Sequence, residues 1–218
     1  MTPLVLDVPG AGLWEARNSP TRRVPSHGTS RFGTAYADRP GSRGRTPSER
    51  QAVVADASRH RTGFCLRRFR SAGLSADRGN VVATHDHEPD HDASRSPVAY
   101  LFFALGQAKR IRSGISAVAG NHVVIEVAPG GPYVLMAHLQ HGSLCVSEGQ
   151  QIEVGAPVGA CGNTSNSTQP HVHLQAVDSL SWETANAIPI VFRSYRVVAT
   201  RADRLVALPA EGETIARS

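Results

Sequence analysis

A chain of 218 residues, 40% hydrophobic and 6% aromatic, has enough apolar mass for one ordinary domain whose core is built mainly from Val, Ala, Leu and Ile. No apolar run approaches the roughly 18 residues that a membrane-spanning helix needs, and the three scattered cysteines (Cys65, Cys145, Cys161) supply neither a disulfide framework nor a CxxC metal knuckle. The net charge of +5 is local: residues 39–78 hold ten arginines against Glu49, Asp56 and Asp77, a net of +7, which leaves −2 for everything else. That distribution excludes a basic nucleic-acid-binding face as the organising feature.

In chain order, residues 1–37 open on an apolar stretch (Leu4, Val5, Leu6, Val8) and continue into "RRVPSHGTSRFGTAYA". The start has no basic region followed by a long apolar run, so a secretory signal is not expected and the weak expectation is a cytoplasmic protein. Residues 38–78 show neither period-2 nor sustained period-3.6 apolar patterning and are expected to be a poorly ordered, Arg-rich segment. Order returns at Asn80. "NVVATHD" reads as a short strand, and "SPVAYLFFALGQAKRIRSG" as a helix over about 97–112, with Ser96 as N-cap, Pro97 in the first turn and Arg110, Arg112 and Gly114 at the exit.

"NHVVIEV" (121–127), a Pro-Gly-Gly-Pro turn (129–132) and "YVLMAHL" (133–139) form a predicted β-hairpin. "SLCVSEGQQIEVGAPVGACG" (143–162) alternates short apolar pairs with glycines, as tight β-loops do. "HVHLQAV" (171–177) and "IPIVFR" (188–193) are further strands. The predicted ordered core is therefore residues 79–196, mainly β with one helical insertion, and 197–218 is expected to be a loosely attached tail.

The chemistry concentrates in "PHVHLQ". On a strand, side chains i and i+2 leave the same face, so His171 and His173 project together while Val172 and Leu174 point inward. Imidazole is the commonest neutral metal ligand, and its pKa also suits proton transfer near neutrality. An isolated HxH is more often two histidines on a solvated strand face. Here "MAHL" places a third histidine, His138, at the end of a strand expected to pair with or lie beside 171–177, which favours a convergent cluster.

Residues 119–179, with the strand "GNHVVI", the strand end "AHL", the loop "EVGAPVGACGNTSNST" and then "PHVH", resemble the catalytic core of peptidase family M23, the lysostaphin- and LytM-like zinc endopeptidases that cut peptidoglycan cross-links. The resemblance implies an antiparallel β-sheet core of the LytM type and one Zn²⁺ ion. It implies His173 as the ligand from the HxH pair, with a His and an Asp from an upstream motif, here His27 and Asp38 of "SHGTSRFGTAYAD". His171 and His138 would then be the non-ligand histidines that orient the attacking water and stabilise the tetrahedral intermediate. Asn163, Thr164, Ser165 and Asn166 would form a polar wall of the substrate groove, and the substrate would be a peptide or peptidoglycan.

The chain departs from the family pattern after Tyr36-Ala37, which runs into "DRPGSRGR" and not into an apolar strand that would fix Asp38. A rival ligand source is "HDHEPDHD", with His85, Asp86, His87, Asp90 and His91, although such residues after a strand are commonly turn formers. Two other functions compete. One is a non-catalytic M23-like domain that binds peptidoglycan or a partner protein. The other is a lipoyl-type carrier suggested by "VSEGQQIEVGAPVG"; the sole lysine, Lys109, lies in the predicted helix, away from the tight hairpin such a carrier needs.

Overall fold

The computed structural model describes residues 2–10, 12–17, 19, 21, 64–67, 72–91, 115–165, 167 and 169–218. Fourteen strands are described: β1 (Leu4–Leu6), β2 (Leu13–Arg17), β3 (Phe64–Arg67), β4 (Ala72–Leu74), β5 (Gly79–His85), β6 (His122–Glu126), β7 (Tyr133–Ala137), β8 (Gln151–Ile152), β9 (Pro157–Ala160), β10 (Val172–Val177), β11 (Ala187–Ile188), β12 (Ile190–Val197), β13 (Ala202–Ala207) and β14 (Thr214–Arg217). A single helical turn and a half, α1 (Ile115–Ala119), precedes β6. The helix expected over about 97–112 lies outside the described residues, as do His27, Asp38 and Asn166.

The protein is mainly β and its sheets are antiparallel apart from the β1–β12 pair. One sheet of 12 strands runs β1-β12-β14-β2-β3-β10-β7-β6-β5-β8, with β11 on β10 and β13 on β12; β4 and β9 form a second pair. The central hairpin forms because Val and Ile suit a pleated, buried surface and because its turn is glycine-rich. Gly130 and Gly131 have φ of 82° and 106°, a region open to glycine and strained for other residues. Across the hairpin Val123 faces Met136 and Val124 faces Leu135.

Strand alternation divides this part of the sheet into two faces. Val123, Ile125, Val134, Met136, Val172 and Leu174 enter the main core. Val124, Leu135 and Ala137 form a smaller buried cluster with Ala119 on the opposite face. His173 and Gln175 share that second face, since His173 lies in register with Ala137 and Gln175 with Leu135.

Two expectations require correction. The chain after Arg196 is not a loose tail: β14 is inserted between β12 and β2, and Ile215, in register with Trp14, is fully buried. The half-exposed composition of β13, in which Leu205 is 80% exposed, hides its pairing from a hydrophobic pattern. The Arg-rich block is likewise not wholly without structure. β3 and β4 fall within 38–78, and β3 joins the terminal strands to the core by pairing with both β2 and β10. A four-residue strand held on both sides takes its conformation from its neighbours and needs no strong pattern of its own.

Candidate active site: three histidines at the end of two paired strands

β10 and β7 pair antiparallel, so the start of one lies beside the end of the other: His173 is opposite Ala137, and His138 follows Ala137 directly. Simple alternation would send the His138 side chain to the face of Met136, into the main core. It does not go there. His138 has φ 62°, in the left-handed region. Histidine tolerates that region better than most residues, but it still carries a cost of about 1–3 kcal/mol and persists only where surroundings enforce it.

The enforcing contacts are backbone ones. The His138 N–H donates to Ala119 O at 2.9 Å, and its carbonyl accepts from Gly162 N at 3.1 Å. The left-handed residue turns the ring to the site, where its centroid lies 4.7 Å from that of His171 and 5.9 Å from that of His173. The structure thus brings together His138, His171 and His173, all less than a tenth exposed.

Each ring is oriented by one nitrogen. His138 Nδ1 lies 3.0 Å from Thr164 O. A carbonyl can only accept, so that nitrogen carries the proton and Nε2 carries the lone pair in the neutral ring. His171 Nδ1 lies 2.8 Å from Gln169 O and 3.0 Å from Ser167 Oγ, which gives the same tautomer. His173 is held at its other nitrogen: Nε2 lies 3.3 Å from Gln175 Oε1. Gln175, two residues after His173 on the same strand face, was readable from period-2 spacing and was missed.

The loop 163–167 is fastened inward. Asn163 and Thr164 are buried. Thr164 Oγ1 accepts from Asn121 N at 3.1 Å and donates to Leu139 O at 3.2 Å. Asn163 Nδ2 donates to His91 O, and Ser165 Oγ donates to Ala117 O. Asn163, Thr164 and Ser165, expected as part of a polar groove wall, hold the loop against Ala117 of α1, Asn121, Leu139 and residues 90–91.

"HDHEPDHD" acts as a strap. Asp86 accepts from Gly142 N and Leu144 N, and Asp90 from Asn163 N and His141 N, so both carboxylates are committed to backbone amides. His85 and His122 stack, with centroids 5.7 Å apart, in the same cross-strand row as Ala137 and His173. Burial holds the His122 imidazole below its usual pKa, aided by neighbouring His85 and opposed by the hydrogen bond from Nδ1 to Gly120 O. Among the described residues no group of three His, Cys, Asp or Glu side chains is arranged to hold a metal. His141 is exposed, Cys145 is exposed and Cys161 is buried.

A site lined by three histidines at the end of an antiparallel β core defines the class of protein, a mainly β domain with an imidazole cluster at its sheet end. Residues 103–183 match the model of peptidase family M23. No curated protein matches the chain. Among solved structures it is similar to a zinc-containing peptidase from Vibrio cholerae (18% identity, TM-score 0.36), covering 56% of this chain and 29% of that one. It is also similar to the catalytic domain of a mutant of the prophage-encoded M23 protein EnpA from Enterococcus faecalis (18% identity, TM-score 0.41, 74% and 85% covered). A third is the catalytic domain of the antimicrobial peptidase lysostaphin from Staphylococcus simulans (17% identity, TM-score 0.40, 62% and 80% covered). The chain thus spans less than a third of the length of the Vibrio cholerae protein.

Proposed function

We propose that the chain is a zinc-dependent endopeptidase domain that hydrolyses peptide bonds, with peptidoglycan cross-links as substrate. The observation that carries this reading is the meeting of the buried His138, His171 and His173 rings. The donor chemistry suits zinc, because Gln175 holds Nε2 of His173 and leaves Nδ1 as its donor atom. His27 and Asp38, outside the described residues, complete the proposed ligand set. When bound, the metal would lower the pKa of a water and polarise the scissile carbonyl.

The remaining steps belong to the chain's own side chains. His138 and His171 each present Nε2 as the basic nitrogen, because Nδ1–H is bonded to a main-chain carbonyl. One ring takes the proton of the attacking water at Nε2 and becomes an imidazolium. Its new positive charge is stabilised by the carbonyl already accepting from Nδ1. That N–H then donates to the developing oxyanion or passes its proton to the leaving amine. Burial of the rings strengthens each of these interactions.

The test is the release of new amino termini from purified peptidoglycan. The reading expects release that is abolished by a chelator, restored by zinc, and lowered by about 100-fold or more in His171→Ala. Folded, zinc-loaded protein that binds peptidoglycan without cleaving it would replace this reading with a non-catalytic M23-like binding domain.

A further inference from the structure

We propose that Asp90 and His91 form a clasp that positions His138, by fixing the carbonyl of Thr164 to which its ring donates. The proposal rests on the hydrolytic reading for its effect on rate, and on the geometry alone for its effect on the ring. His138 Nδ1 donates to Thr164 O at 3.0 Å, and Thr164 belongs to a loop with no strand of its own.

Residues 90 and 91 hold that loop on both sides of the critical carbonyl. The Asp90 carboxylate bridges two segments, accepting from Asn163 N through Oδ1 at 2.6 Å and from His141 N through Oδ2 at 2.8 Å. It therefore ties the chain just after His138 to the residue just before Thr164. Asp90 and Thr164 also form an isolated antiparallel bridge.

His91 takes the two flanking carbonyls. Its backbone N–H donates to Asn163 O at 3.2 Å, and its ring Nε2 donates to Ser165 O at 2.9 Å. Three successive carbonyls, of residues 163, 164 and 165, are thus bound in turn by His91, His138 and His91. The ring is doubly specified: with the proton on Nε2, its Nδ1 lone pair faces Asn163 Nδ2 at 3.2 Å. Asn163 Nδ2 also donates to His91 O, which closes a reciprocal pair between residues 72 positions apart. Thr164 O also accepts from Ser167 N at 3.3 Å, and the Thr164 and Ser165 side chains keep their own anchors. Opening the clasp would therefore not release the loop but would loosen the direction of the carbonyl to which His138 Nδ1 donates.

The experiment measures the tautomer and the rate separately on the full chain. With ¹⁵N-histidine labelling, the His138 signals are assigned by their loss in His138→Gln, and hydrolysis of a soluble peptidoglycan fragment gives kcat and KM. The wild type is expected to hold His138 in the Nδ1–H form. Asp90→Ala and His91→Ala are expected to mix the tautomers and lower kcat on the order of 10- to 100-fold with little change in KM. His91→Gln, which keeps an N–H near the position of Nε2, should restore both. Should an alanine variant fail to fold, Asp90→Asn is read in the same way, since it keeps the shape and removes one acceptor.

An unchanged His138 tautomer in the folded variants overturns the proposal, and so does a mixed tautomer without loss of kcat. Should the wild type hydrolyse nothing, the proposed reaction fails, while the tautomer measurement still decides whether the clasp sets the ring.

Discussion

His138 and His171 are joined through one residue. Gly162 donates its N–H to His138 O and accepts from His171 N, at 3.1 and 3.2 Å, so the spacing between the two rings is fixed by main chain on both sides. No flexible side chain intervenes. The backbone of β7, the 160–164 segment and the start of β10 thus sets the two residues side by side, with ring centroids 4.7 Å apart.

The first prediction concerns that bridge. A Cβ on Gly162 would lie 2.3 Å from Gln140 N and 2.4 Å from Gln140 Cα, which are backbone atoms with nowhere to swing. Gly162→Ala must therefore part the two segments. Denaturant unfolding should show a loss of about 1–3 kcal/mol, and any remaining activity should fall further than stability explains, because the spacing of the two histidines changes. A variant as stable and active as the wild type would mean that these segments yield more easily than the contacts imply.

A second prediction follows from His122. Its pKa is depressed by burial below the ordinary 6.5, so at mildly acid pH the unfolded chain binds a proton that the folded chain refuses. By linkage, stability increases with pH wherever the unfolded state holds more protons. The His122 contribution is thus present above about pH 6.5 and is lost as the pH falls below it toward the folded value. Unfolding free energies measured from pH 7.5 down to 5 should decline more steeply for the wild type than for His122→Gln. Parallel declines would assign the acid sensitivity to other groups.

Tyr195 supplies a third. Burial raises its phenol to about 12, with Glu213 adding to the shift and Arg204 opposing it. Ultraviolet titration should show a tyrosine step near pH 12. Here the folded pKa lies above the unfolded value of 10.0, so the contribution to stability is complete below pH 10 and is lost as pH rises from there toward 12. In Tyr195→Phe the late titration step should vanish; its persistence would assign the step to another residue.

Much of the core was legible because its signals are local. The β6–β7 hairpin declares itself by dense Val, Ile and Leu around Pro-Gly-Gly-Pro, and His171 and His173 by their separation of two residues. The convergence of His138 could be guessed from its place at a strand end, but not its direction: a left-handed residue breaks the alternation that pattern reading assumes. Asp90, His91 and Asn121 act on residues 33 to 74 positions away, through main-chain partners that leave no periodic trace. The strands β13 and β14 were hidden for the opposite reason. β13 is mostly exposed, and the pairing of β14 with β12 and β2, with Ile215 in register with Val197 and Trp14, shows what the C-terminal segment packs against.

The most direct measurement of the central claim is zinc content. Protein purified from zinc-containing medium and dialysed against metal-free buffer should retain about one equivalent, bound through Nδ1 of His173 with His27 and Asp38, and His173→Ala should lose it while remaining folded by circular dichroism. A well-folded wild type that retains no zinc, or a His173→Ala variant that retains the full equivalent, would contradict the account.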